Sequence, residues 1–228
     1  MDAFFIYREP FEEDCHCYSQ QEEPTRFGSL TELDGHKGFV IAPFASNTTH
    51  PIYLLDGKSG QSSALPLDGS KGFEAIPNGQ DEAYLETSEV APRIQYHNDF
   101  TCFHDELNRK SFRKLVLART IVEKKDEQMN PRDIFLKACE WYPRSYIALF
   151  YTAQTGMWLV ASPEILLRGD ATSYQTMALA GTMRYEGEEF KWSEKNREEQ
   201  QLVADYIRTC LQPFASDITE SEPFTSRA

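Results

Sequence analysis

Short apolar runs bounded by Gly, Pro or Asp mark the first quarter of the chain. Ala3-Phe4-Phe5-Ile6-Tyr7, Gly38-Phe39-Val40-Ile41-Ala42-Pro43 and Ile52-Tyr53-Leu54-Leu55 have the length and the aromatic or β-branched content of strands. Residues 12–27, acidic, polar and Pro-containing, read as a loop. Residues 57–81, rich in Gly, Ser and Pro, read as an exposed connection.

The texture changes from about Val90. Residues 96–110 mix apolar and charged positions at helical spacing. Residues 114–122 return to a period of two: Leu115, Leu117, Arg119 and Ile121 alternate with Lys114, Val116, Ala118 and Thr120, as in a strand. Asn130-Pro131-Arg132-Asp133 is a helix start, with a cap residue, Pro in the first turn and an acid at the third position. That helix ends at Tyr142-Pro143. Residues 146–152 and 157–161 pair around Gln154-Thr155-Gly156, and 194–211 form a long helix. Strands and helices mix without a βαβ rhythm. The expected class is therefore α+β, with mixed or antiparallel sheets packed with helices.

Charge narrows the partners. The 228 residues carry a net charge of -13, which repels phosphate backbones and anionic membrane surfaces. No apolar stretch reaches eighteen residues, and Met1–Glu9 lacks the basic and apolar regions of a secretion signal. No nucleic-acid or membrane partner is expected, and a cytoplasmic location is. Five scattered cysteines do not form a disulfide framework. Cys15-His16-Cys17 is spaced too tightly for a zinc pair and reads as reduced thiols in a polar loop. There is no GxGxxG, P-loop or GxSxG motif.

Chemistry could sit at four places. Lys114 on an apolar strand face would be desolvated and available as a neutral base; as a strand-end lysine it would snorkel to water. Glu164 follows Ser162-Pro163 and lies between apolar Val160-Ala161 and Ile165-Leu166-Leu167, so it is either a buried acid or a surface glutamate just past a strand. Leu179-Ala180-Gly181-Thr182 is a small-residue turn whose amides can approach a ligand, or simply a tight turn. Glu199 lies on the stripe Leu202, Val203, Tyr206, Ile207, Cys210 of the long helix. Pointing inward, it needs a cation, either Mg²⁺ or a basic side chain; at the helix end it would be exposed.

Together, Lys114-Leu-Val-Leu-Ala-Arg119, Ser162-Pro-Glu164, Leu179-Ala-Gly-Thr182 and Lys195-Asn-Arg-Glu-Glu-Gln-Gln-Leu-Val203 resemble the chorismate-utilising enzymes in order and spacing. The likeness is closest to isochorismate synthase and covers about 103–214. It implies the anthranilate-synthase-component-I-like fold. It also implies that Lys114 activates water, Glu164 protonates the departing 4-hydroxyl of chorismate, the turn at Ala180, Gly181 and Thr182 meets substrate carboxylate, and Glu199 binds Mg²⁺. A bound Mg²⁺ would reconcile a dianionic substrate with an acidic protein.

The aminating members carry glutamine where this chain has Lys114, and aminodeoxychorismate synthase a lysine where it has Ala180. Both differences favour water addition, with salicylate synthase as the alternative. The resemblance further implies a second metal glutamate, a histidine and an arginine beyond these residues, and no His follows His104. The expectation is one domain, 1–228, incomplete at its C-terminus: a variable part over 1–100, the first part of the catalytic region over 101–228, and little activity alone. A non-catalytic binding module is the other reading. Menaquinone and siderophore synthesis both fit, and the oligomeric state is left open.

Overall fold

Strand β1 (Ala3–Arg8) is buried along nearly its whole length, as its unbroken apolar run requires. After it come β2 (Asp14–Gln20), β3 (Thr25–Phe27), a 3₁₀ turn (Leu30–Leu33), β4 (Phe39–Ile41), β5 (Ile52–Leu55) and β6 (Ser62–Pro66). The chain continues through α1 (Val90–Asn108), α2 (Pro131–Trp141), β7 (Tyr146–Thr152), β8 (Gly156–Ser162), β9 (Arg168–Gly169), β10 (Tyr174–Gln175) and α3 (Glu194–Leu211). The computed structural model describes residues 3–56, 62–67, 90–123, 129–184 and 191–225. Helices combine with antiparallel sheets, so the α+β class holds.

The chain divides into two units. The first comprises Met1–Gln80, Glu127–Ile165 and Thr225–Ala228; the second comprises Asp81–Asp126 and Leu166–Phe224. In the first unit a five-stranded sheet runs in the order β6-β2-β1-β7-β8, and a three-stranded sheet in the order β3-β5-β4. Alternation along β1 serves two cores. Phe4 and Ile6 meet Cys15, Cys17 and the α2 residues Phe135, Ala138 and Cys139. Ala3 and Phe5 point the other way, onto Leu55, Phe39 and Ile41 of the small sheet. Helix α2 thus covers one face and the small sheet the other.

Local chemistry explains the boundaries. The Asn130 side chain caps α2 by accepting from the Arg132 amide at 2.9 Å, with Pro131 in the first turn. The β7–β8 hairpin closes with Thr152 opposite Gly156, whose φ of 71° suits glycine. The Thr155 amide donates to Thr152 Oγ1 at 3.0 Å. Arg8, 1% exposed, donates to the carbonyls of Tyr142 and Pro143 at 2.7 Å each and of Cys139 at 3.3 Å. A buried guanidinium thereby closes the carbonyl end of α2.

Three sequence readings are corrected. Residues 12–27 contain β2 and β3 instead of one loop. Cys15 and Cys17 point into the core while His16 stacks on Tyr7 at 5.1 Å, and the small and polar residue types hide this period of two. Residues 114–122 form no strand: Val116 is 78% exposed, and an alternating pattern without a neighbour to pair with builds no sheet. Helix α1 begins at Val90, not Tyr96, and ends at Asn108. Most of the connection read over 57–81 lies outside the described residues, except that Ser62–Pro66 pairs with β2 as β6.

Candidate active site

The second unit is organised on one face of α3. Ser193 caps the helix by accepting from the Asn196 amide at 3.2 Å. The covered face runs through Asn196, Glu199, Gln200, Val203, Ala204 and Ile207. This rotates the stripe read from sequence, because Tyr206 is 70% exposed and Cys210 is exposed as well. Glu199 remains on the covered side.

Lys114 is half-buried, and its Nζ donates to Glu199 Oε1 at 2.8 Å. Two residues 85 positions apart are thereby joined. The apolar strand face around Lys114 is absent, and the partner found for Glu199 is the basic side chain that sequence reasoning left open beside Mg²⁺. One helical turn away, Asn196 and Gln200 hold the 178–182 turn. The Gln200 side-chain amide donates to the Ala178 carbonyl at 3.3 Å. Gly181 has a φ of 78°, and a Cβ there would lie 3.2 Å from Asn196 Cβ. A glycine is required by both the backbone angle and the close approach. Ala180 and Gly181 are half-buried and Thr182 is exposed on this turn.

Glu164 belongs to the first unit, just past the end of β8. Its amide donates to Ser162 Oγ at 3.2 Å, a local turn that Pro163 enforces by ending the strand. The apolar enclosure read around its carboxyl is not there: Glu164 is exposed, and Leu166 is 91% exposed. The structure thus brings Lys114, Glu199 and the Gly181 turn onto one helix, with Glu164 carried by the other unit.

A metal requires more than these residues supply. Among the described residues, no group of three or more His, Cys, Asp or Glu could hold an ion. Glu199 offers one carboxylate, already hydrogen-bonded, whereas Mg²⁺ prefers about six oxygens in an octahedron. The described residues do not by themselves form a Mg²⁺ site.

The family described as chorismate binding enzyme matches residues 69–225, more than half of the chain. The chain belongs to the chorismate-binding enzyme family. The match contains the whole α3 arrangement together with Lys114, Glu164 and the Gly181 turn. Membership in the chorismate-binding enzymes implies an enzymatic role and chorismate as substrate. Neither a curated protein nor a solved structure matches the chain. No helix among the described residues is long and apolar enough to cross a membrane.

Arg8 is the residue that sequence reasoning missed. Its signal was a basic residue in register with Phe4 and Ile6, two steps apart on the buried face of β1.

Proposed function

We propose that this chorismate-binding enzyme adds water to chorismate in the manner of an isochorismate synthase. The observation that carries the reading is the 2.8 Å contact of Lys114 Nζ with Glu199, on the same face of α3 that holds the Gly181 turn. Glu199 fixes the nitrogen at one point beside a turn whose glycine leaves its backbone accessible.

In the proposed reaction a water oxygen forms a bond to ring C2. Lys114 acts in its neutral amine form: one N–H stays donated to Glu199 while the nitrogen lone pair takes a proton from that water. The double bonds shift, and the C4–O bond breaks. Glu164 gives a proton to the departing oxygen, so that a second water leaves and the net change is an isomerisation. The Gly181-Thr182 turn offers amides and a hydroxyl to a ring carboxylate. Glu199 acts as a positioning residue for Lys114 in this scheme.

The test is an assay of chorismate with the purified protein, with products separated by chromatography. Isochorismate is expected, formed without ammonia and lost in Lys114→Gln. Ammonia-dependent formation of an aminated product, or full turnover by Lys114→Gln, would overturn the proposal.

A further inference from the structure

Glu199 and Gln200 stand side by side on α3 and serve different neighbours. Successive residues of a helix are turned about 100° from one another. Glu199 meets the Lys114 amine at 2.8 Å, while the Gln200 side-chain amide donates to the Ala178 carbonyl at 3.3 Å. Both α3 side chains are half-buried. All four residues belong to the second unit.

The Gln200 bond decides how the turn is presented. A trans peptide points its carbonyl and the N–H that follows in opposite directions. An Ala178 carbonyl drawn onto α3 therefore turns the Leu179 N–H away from the helix. Further along, Gly181 rests against Asn196, one helical turn before Gln200. The turn is thus fixed at two points: a directed hydrogen bond at its start and close packing near its end. Between and beside them, the amides of Leu179, Ala180, Gly181 and Thr182 donate to no group among the described residues. These amides are the ones a ligand carboxylate would meet. Gln200 orients them with an uncharged donor, so it adds no second carboxylate beside an anionic ligand.

We propose that Gln200 is the positioning residue of the 178–182 turn and sets the affinity for the substrate carboxylate, separately from the proton transfer that Lys114 and Glu199 serve. This role rests on the chorismate reading of the turn. It divides two adjacent residues by function: Glu199 acts on kcat and Gln200 on KM.

The experiment uses Gln200→Met, which keeps the length of the side chain without a donor, and Gln200→Glu, which keeps its shape and has no proton to give when ionised. Backbone order parameters of residues 178–182 are measured by NMR relaxation. Chorismate affinity is measured by calorimetry, and KM and kcat by product formation, with melting temperature as the folding control. Loss of one such hydrogen bond corresponds to about threefold to tenfold in an equilibrium constant. Gln200→Met is expected to lower the order parameters across the turn and to raise Kd and KM by that factor, with kcat changing far less. Lys114→Gln should give the reverse pattern. Gln200→Glu should raise Kd further, because its carboxylate also repels the substrate anion, and it carries the test if the methionine variant does not fold. Order parameters or a Kd unchanged in a folded variant overturn the proposal, as does a loss in kcat as large as the rise in KM. So does a wild-type protein that binds no chorismate. A wild type that binds chorismate without forming isochorismate sinks only the hydration reading, and the order parameters and Kd then decide the role of Gln200.

Discussion

Lys114 donates to Glu199 from a segment without regular structure, and the contact ties that segment to α3. The two side chains are 29% and 35% exposed, so solvent screens the pair. Such pairs are worth about 0 to 1 kcal/mol. Glu199→Gln keeps an acceptor at the same place, and its melting temperature should fall by less than about 3 °C. Turnover should respond far more. Lys114→Gln is expected to lower the kcat for chorismate by about 10² to 10⁴, the usual worth of a general base, with a small change in KM. Parallel melting and kinetic measurements separate the two effects. A large loss of stability with intact turnover would make the pair purely structural.

Arg8 gives a stability prediction of the opposite kind. Its guanidinium serves the carbonyls of Cys139, Tyr142 and Pro143 at once. Arg8→Met fills much of the space but strands those acceptors, each at a cost of about 1 to 3 kcal/mol when buried. Urea unfolding should show a loss of about 3 kcal/mol or more. Arg8→Lys should recover only part of it, because an ammonium lacks the planar fork. An unchanged midpoint for Arg8→Met would refute this account of the α2 terminus.

Gly181→Ala tests the turn. The left-handed φ of 78° costs an L-residue about 1 to 2 kcal/mol, and the added methyl meets Asn196 backbone oxygen at 3.3 Å. Faster amide exchange across 178–182 is expected, together with a higher KM for chorismate. If exchange there stays at the wild-type rate, the close packing of the turn on α3 is not what orders it.

Thiol chemistry separates core from surface. Burial pushes the thiols of Cys15 up to about 12 and Cys17 up to about 11, and raises Cys139 as well. Cys102 and Cys210 are exposed. Iodoacetamide at pH 8 should modify these two in the native protein and the other three only after unfolding. The linkage has a definite sign. A free thiol titrates near about 8.5, so the unfolded chain releases these protons first. Stability is therefore fully present below that pH and falls as pH rises through the range from about 9 towards 12. A melting temperature that stays level from pH 8 to about 10.5 would contradict the burial of these groups.

Legibility followed how local the determining physics is. The cap of α2 and the β7–β8 turn are decided by neighbours in sequence, and Asn130, Pro131 and Gly156 announce them. Strand β2 is decided by partners far away: His16 and Tyr18 sit there because Tyr7 and Phe5 lie opposite them. The composition of residues 12–27 carries no sign of that pairing. Residues 114–122 show the reverse failure, a period of two with no strand to receive it. The candidate site was legible as motifs, while the contact that joins Lys114 to Glu199 needed the fold. The placement of Glu164 at an exposed strand end was hidden for the same reason, because apolar neighbours in sequence need not enclose a side chain in space.

Asn196, Glu199 and Gln200 occupy little more than one turn of a single rigid rod. Turning that rod by one residue, about 100°, would carry all three off their partners together. The lysine segment and the glycine turn are therefore indexed by one part and cannot be mis-set separately. A slip anywhere along α3 would be felt as a single event, so damage to the Ser193 cap, far from any reacting atom, should disorder the whole arrangement at once.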